Sequence, residues 1–336
     1  MKEALFYEKL EGGKVRCNLC PRHCTLSDGQ RGFCGVRKNE KGKLYSLVYG
    51  RLCSMNIDPI EKKPLFHFAP GSRSLSIATV GCNLKCKFCQ NWEISMSKEI
   101  FGENVEPEEV VEAAKNYNAE GIAYTYVEPT IFYEFALDTM KLAKKAGLYN
   151  IWVSNGYTEI EPIRKMAKYL DAINVDLKGD KKFYNTLCYV ADETPIKKAL
   201  LEYKKHGIWI EVTTLLIPGY NDKKEQIERI VSWVKENLGN STPLHFSRFF
   251  PHYKLTDVPP TPLETLEKAF EIAKNKGMKY VYVGNVLGHD RESTFCPKCG
   301  SLVIKRVGFE IISFNKKCPK CGETIPIKGE RWVRKF

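Results

Sequence analysis

From Ser74 onward the chain alternates short apolar runs with longer amphipathic stretches. "SLSIATV", "GIAYTYV", "LYNIWVS", "DAINVDL", "GIWIEVTTLLI" and "PLHFSRFF" read as six buried strands. Between the first two lies "EPEEVVEAAKNY", a helix whose Pro107 suits a first turn and whose Val110, Ala113, Ala114 and Tyr117 share one face. A second helix is expected over 130–146. Between the fifth and sixth strands a third carries Ile227, Ile230, Val231, Val234 and Leu238 on one stripe. Strands that alternate with helices form a parallel sheet, either open or closed part-way into a barrel.

The flanks read differently. Residues 1–70 hold five cysteines, four of them grouped over 17–34, and turn signals at "SDGQRG" and "APGS". The tail from about Glu292 has two "CPKCG" knuckles around a short β-rich stretch. The expected organisation is a Cys-rich module over 1–70, the α/β unit over 71–291 and a ribbon over 292–336.

Composition changes this picture in two places. No apolar run approaches the roughly 18–20 residues of a membrane span, and "MKEALFYEKLEGGKVR" has no signal-peptide core, so a cytoplasmic protein without membrane contact is expected. In that setting thirteen cysteines point to metals and not to disulfides. The formal charge of +12 invites a nucleic-acid reading. Metal-bound thiolates would cut it to roughly +7, and Lys alternates with acids along most of the chain.

The cysteines fall into three groups, with Cys53 and Cys188 standing apart as expected structural thiols. Cys296, Cys299, Cys318 and Cys321 are spaced C-x2-C-x18-C-x2-C, the pattern of a closed structural zinc site. Cys17, Cys20, Cys24 and Cys34 follow C-x2-C-x3-C-x9-C, which permits zinc or a second iron–sulfur cluster, and His23 could replace one thiol. "GCNLKCKFCQNW" packs Cys82, Cys86 and Cys89 directly after the first strand. Active groups of parallel α/β folds gather at that end of the sheet. Three thiolates can hold three irons of a 4Fe–4S cluster and leave the fourth iron open.

Here the chain resembles the radical SAM superfamily, in which the open iron binds S-adenosylmethionine. One electron then splits its sulfonium to a 5′-deoxyadenosyl radical that takes a hydrogen from the substrate. "CNLCPRHC", "DPIEKKPLFHF", "YTYVEPT", "SNGY", "VDLKG" and "IPGYND" are similar to the radical SAM proteins of the AmmeMemoRadiSam system, and through them to the activases of glycyl-radical enzymes such as pyruvate formate-lyase. The resemblance implies a partial (β/α)6 TIM-type barrel of the radical SAM kind, with the Cys-rich module before it and the zinc ribbon after it.

It also implies a cofactor site at the strand ends. Glu128 stands where the family often has Gly-Gly-Glu and could accept from the cofactor's ammonium. Ser154 and Asn155 would face the ribose. Asp176 and Lys178 would lie near the methionine part. Thr213 stands where the activases have Arg, Val153 where they have Asp, and His252 lies in a segment whose His approaches the cofactor. Catalysis beyond the cluster ligands is not assigned to any residue.

The expected substrate is a macromolecule, a protein being favoured over RNA, with ferredoxin or flavodoxin as electron donor. The rival readings are a radical SAM enzyme that modifies RNA and a non-catalytic protein, metal-ribboned, that binds nucleic acid or carries electrons. Six strands cannot close a full barrel. Either Cys module is therefore expected to be able to line the side opening.

Overall fold

The computed structural model describes residues 1–334. All six expected strands are present, as Arg73–Ala78, Gly121–Tyr124, Tyr149–Ser154, Ala172–Asp176, Trp209–Leu216 and Leu244–Arg248. They pair in parallel and in chain order. Two further strands extend the sheet. Val281–Gly284 joins in parallel beyond the sixth, and Ser54–Pro59 runs antiparallel along the first. Ser54–Pro59 is half solvated and ends in Pro, as edge strands do, so it carries no apolar run to announce it. The two outer strands are not paired with each other, and the sheet remains open.

The helices cover its outer face. On the first strand Leu75 and Ile77 belong to the main apolar core, together with Val110 and Ala114 of helix Pro107–Asn116 and Ala136 and Met140 of helix Tyr133–Lys145. The first of these helices differs from expectation in one detail. Val111 is buried, whereas Tyr117, which caps the C-terminus, is 60% exposed.

The sheet's inner face curves around a plug, apolar at Ala123, Ile151 and Ala172, which pack with Leu65 and Phe68, and polar on the later strands. Asn174 donates from Nδ2 to the Pro64 carbonyl at 2.8 Å. Glu211 accepts from the amides of Phe66 and His67 at 2.9 and 2.7 Å and from His245 Nε2 at 2.8 Å. His67 Nε2 meets Tyr282 Oη at 2.6 Å. Side chains from four successive strands thus converge on residues 64–67, which is possible only if the sheet is curled.

This plug lies at the N-terminal ends of the strands, and the C-terminal segment closes the same end. Phe68 and Tyr149 pack edge to face, Trp332 packs on both, and Trp332 Nε1 donates to the Gly147 carbonyl. The small sheet of Thr294–Phe295, Leu302–Val307 and Glu310–Phe314 sits here too. Val303, Ile304, Ile325 and Ile327 bury against Phe66, Tyr280 and Tyr282. Arg306, fully buried, donates to the Phe66 carbonyl at 2.7 Å. The tail therefore does not line an opening at the cysteine-loop end. Its apolar side chains find their partners beneath the sheet.

The N-terminal cysteine segment is at the other end. Arg22 donates to the carbonyls of Asn83 and Tyr189 at 2.9 and 2.6 Å, and the Glu159 amide to that of Leu19 at 3.1 Å.

Candidate active site

The cysteine loop leaves the first strand through Gly81, whose φ of +97° and whose closeness to Val36 and the Cys34 carbonyl admit no side chain. Cys82, Cys86 and Cys89 then follow on a turn that is itself held from outside. Lys85 and Lys87 donate their amides to the carbonyls of Cys188 and Leu187 at 3.3 and 2.9 Å. The Leu84 amide points at Cys82 Sγ at 3.5 Å, Asn155 Nδ2 at the same sulfur at 3.8 Å, and Cys89 Sγ lies 3.2 Å from Ser95 Oγ. Burial pushes the thiols of Cys82 and Cys89 up, and a hydrogen bond with Cys188, followed by burial, does so for Cys86. Such thiols become thiolates when a metal takes the proton's place.

Around this loop the next strand ends bring most of the expected residues together. Glu128 is buried after the second strand. Its carboxylate accepts from Thr130 Oγ1 at 2.6 Å, Ser154 Oγ at 2.9 Å and the Asn155 amide at 2.7 Å. Burial raises its pKa and these donors oppose the rise. Glu128 is thereby the support of the Ser154–Asn155 turn, and Asn155 in turn touches Cys82 and holds Asn83 Oδ1 at 3.0 Å.

Lys178 Nζ lies 2.5 Å from Asp176 Oδ2. Burial lowers the pKa of this lysine, but the charge of Asp176 first, and then Cys86 and Cys188, raise it well above the ordinary range. A fixed cation thus stands beside the cysteine loop, where it offsets thiolate charge. Thr213 pairs in register with Asp176 on the neighbouring strand. It is 7% exposed, and its Oγ1 has no hydrogen-bond partner among the described residues. His252 is exposed and shares a backbone bridge with Leu255. Its segment reaches the cysteine loop through Lys254, whose amide donates to the Lys87 carbonyl at 2.8 Å.

Two groups escaped sequence reasoning. Cys188 is fully buried against Cys86, delivered there by a single π turn over Tyr184–Cys188. Asp58 and Lys63, both buried, form a constellation with the half-buried Tyr126. Asp58 lies 2.7 Å from Lys63 Nζ, and Tyr126 donates to the same carboxylate. Burial lowers Lys63 to about 8 although Asp58 supports its charge. The signal was present in "DPIEKKP" and "YTYVEP", but nothing in either segment says that they meet.

The three cysteine groups differ in tightness. Cys296 and Cys321 have sulfurs 3.5 Å apart, Cys299 and Cys318 3.4 Å, and all four lie within 4.8 Å of one another. That fits one tetrahedral ion. No other group of three or more Cys, His, Asp or Glu among the described residues is as tight, Cys82, Cys86 and Cys89 included.

Residues 76–234 match the profile of the radical SAM superfamily. An uncharacterized protein of Methanocaldococcus jannaschii is 51% identical over 97% of this chain and 99% of its own. The pyruvate formate-lyase-activating enzyme of Clostridium pasteurianum is 24% identical over 51% of this chain and 72% of its own. The chain belongs to the radical SAM superfamily. It is a radical SAM enzyme of activase-like kind, and membership implies a 4Fe–4S cluster and S-adenosylmethionine. A radical SAM methyltransferase from Sphaerobacter thermophilus shares the fold at a TM-score of 0.50 and 15% identity, over 68% of this chain and 70% of that one. No helix among the described residues is long and apolar enough to cross a membrane.

The residues present fit the implied groups. Three clustered but uncompressed thiols, a buried cation beside them and an unpartnered buried hydroxyl at the next strand ends make a site with donors to spare.

Proposed function

We propose that this radical SAM enzyme takes hydrogen from a protein or peptide segment, in the manner suggested by its likeness to a pyruvate formate-lyase-activating enzyme. The observation that carries the reading is the rim of the cysteine loop. Trp92 is 41% exposed and stacks on Tyr253, with centroids 5.3 Å apart. Tyr189, 50% exposed, has Lys87 over its ring, and Phe33 has Arg22 at 3.5 Å. Exposed aromatic rings flanked by cations suit a docked polypeptide better than a free metabolite, which needs enclosure.

Cys82, Cys86 and Cys89 would hold the 4Fe–4S cluster. When bound, the cluster supplies one electron to S-adenosylmethionine and the cofactor supplies the hydrogen-abstracting radical. The remaining work falls to the chain. Glu128 fixes the Ser154–Asn155 turn, Asn155 presents its amide to the ribose side, and Lys178 with Asp176 fixes the charge beside Cys86. Thr213 offers its free hydroxyl to the cofactor. A protein of the ferredoxin or flavodoxin class would deliver the electron. The four terminal cysteines would hold one zinc ion as a structural staple.

The test is deuterium transfer. Deuterated cell extract is split into protein, RNA and small-molecule fractions, and each is offered to the reconstituted enzyme with unlabelled S-adenosylmethionine under reducing, oxygen-free conditions. Label should reach 5′-deoxyadenosine from the protein fraction. Label arriving only from RNA would establish the RNA-modifying rival. Label arriving only from the small-molecule filtrate would remove the macromolecular reading altogether.

A further inference from the structure

Cys17, Cys20, Cys24 and Cys34 line one cavity whose other walls include the apolar Leu19, Leu26 and Ile131. Four polar residues join them there, Arg22, Arg37, Asn83 and Thr130.

The spacing of the sulfurs decides what such a cavity can hold. A single zinc ion with bonds of about 2.3 Å draws four thiolates to within about 3.8 Å of one another. The terminal set, whose sulfurs all lie within 4.8 Å of one another, comes near that compactness, whereas the N-terminal cysteines do not gather into such a single-ion group among the described residues. The same is true of Cys82, Cys86 and Cys89. A cluster spreads its ligands because each thiolate binds an iron of its own. By this measure the N-terminal cysteines group with the cluster ligands and not with the ribbon.

Arg37 is an independent sign. It is 2% exposed, with one terminal nitrogen on the Glu134 carboxylate and the other 3.3 Å from the Leu5 carbonyl. Its Nε, also buried, has no partner among the described residues. An orphaned charged donor on the wall of a thiol-lined cavity calls for an acceptor, and the sulfurs of a cluster accept such bonds.

We propose that Cys17, Cys20, Cys24 and Cys34 hold a second four-iron cluster, separated from the Cys82–Cys89 site by Asn83. Asn83 lines the cavity, neighbours Cys82 in sequence and is bonded to Asn155, which itself reaches Cys82. Arg22, on the Arg-His pair between Cys20 and Cys24, latches the two sites together through the Asn83 carbonyl.

The test counts iron and acid-labile sulfide in the full chain after anaerobic reconstitution. The expected content is about eight of each per chain. The C82S/C86S/C89S variant should keep about four of each and, when reduced, a cubane spectrum by electron paramagnetic resonance. The C20S/C34S variant should also keep about four of each, from the other site. About four irons and four sulfides in the wild-type chain, with zinc at two equivalents, would overturn the proposal. So would a triple variant that is folded by circular dichroism but holds no sulfide. The wild-type count decides the matter even where a variant fails to fold.

Discussion

Glu211 and Thr213 stand two residues apart on one strand and so face the same interior. Glu211, toward the plugged end, is surrounded by donors from Phe66, His67, Trp209 and His245. Thr213, toward the cysteine loop, has a buried hydroxyl with no described partner. The contrast holds for the metal-ligating groups as well. The tetrathiol at the plugged end gathers into a single-ion group, and no other group of three or more ligating side chains among the described residues does. A side chain that is satisfied in the bare chain belongs to the architecture. One that is buried and unsatisfied calls for an explanation, and at the plugged end Arg306 Nε and Asn174 Oδ1 share that condition with Thr213.

The largest expected effect breaks the contrast at the loop end. Replacing Cys82, Cys86 or Cys89 with Ala should abolish formation of 5′-deoxyadenosine after dithionite reduction, measured by chromatography. Cleavage persisting in the triple variant would sink the assignment of the cluster.

At the plugged end the expected loss is of stability and not of chemistry. The full chain should carry one zinc per ribbon by elemental analysis, and C318S/C321S should carry none there. Metal binding supplies on the order of 10 kcal/mol to such units. The variant's tail should therefore become protease-sensitive while the loop cysteines still assemble their cluster. A variant whose tail resists proteolysis as the wild type does would show that the apolar contacts to Tyr280 and Tyr282 suffice.

Asp58 and Lys63 test an intermediate case, buried but mutually satisfied. Asp58→Asn strands the ammonium and should cost about 3–5 kcal/mol at pH 7, read from denaturant midpoints. The pH dependence has a definite sign. Lys63 is lowered to about 8 by burial, below its ordinary 10.5. Between those values the unfolded chain binds the extra proton, so this group's contribution to stability rises with pH across that window. Removing the carboxylate lowers the lysine further. The deficit of Asp58→Asn should then shrink as pH rises from 7 toward 10. A deficit that is constant over that range would mean that Lys63 is not the group responsible.

How much of this was legible in the chain depended on whether a feature is local. The six strands carry their own apolar runs, and CxxxCxxC carries its own ligands. Val281–Gly284, in "KYVYVG", had the β-branched and aromatic content of a strand but only four residues of it. The site beneath the cofactor residues was less legible. Glu128 reads as a free acid in sequence, but Thr130, Ser154 and Asn155 occupy it once the strands are side by side. Cys188 reads as a lone thiol because the π turn that aims it at Cys86 leaves no mark on the local pattern. The seat of the ribbon was not legible at all, since Phe66, Tyr280 and Arg306 come from three distant segments.

The smallest expected effect is the sharpest test of the contrast, because stability and function should move apart. Thr213→Val keeps the shape and the β-branching that a strand favours, and deletes only the hydroxyl. At a satisfied position this would strand a partner and cost stability. Here no partner is lost, so the denaturant midpoint should stay level or rise, the group having been buried at a cost of about 1–3 kcal/mol. If the hydroxyl serves the cofactor, the loss appears only when S-adenosylmethionine is present. One neutral hydrogen bond is worth about 1 kcal/mol, so the dissociation constant measured by calorimetry on the cluster-loaded enzyme should rise about fivefold. A stable variant with unchanged affinity would return Thr213 to the architecture. A destabilised variant would mean that Thr213 had a partner in the bare chain after all. A stable variant with weakened binding would mark this strand as the place where the interior passes from scaffold to site.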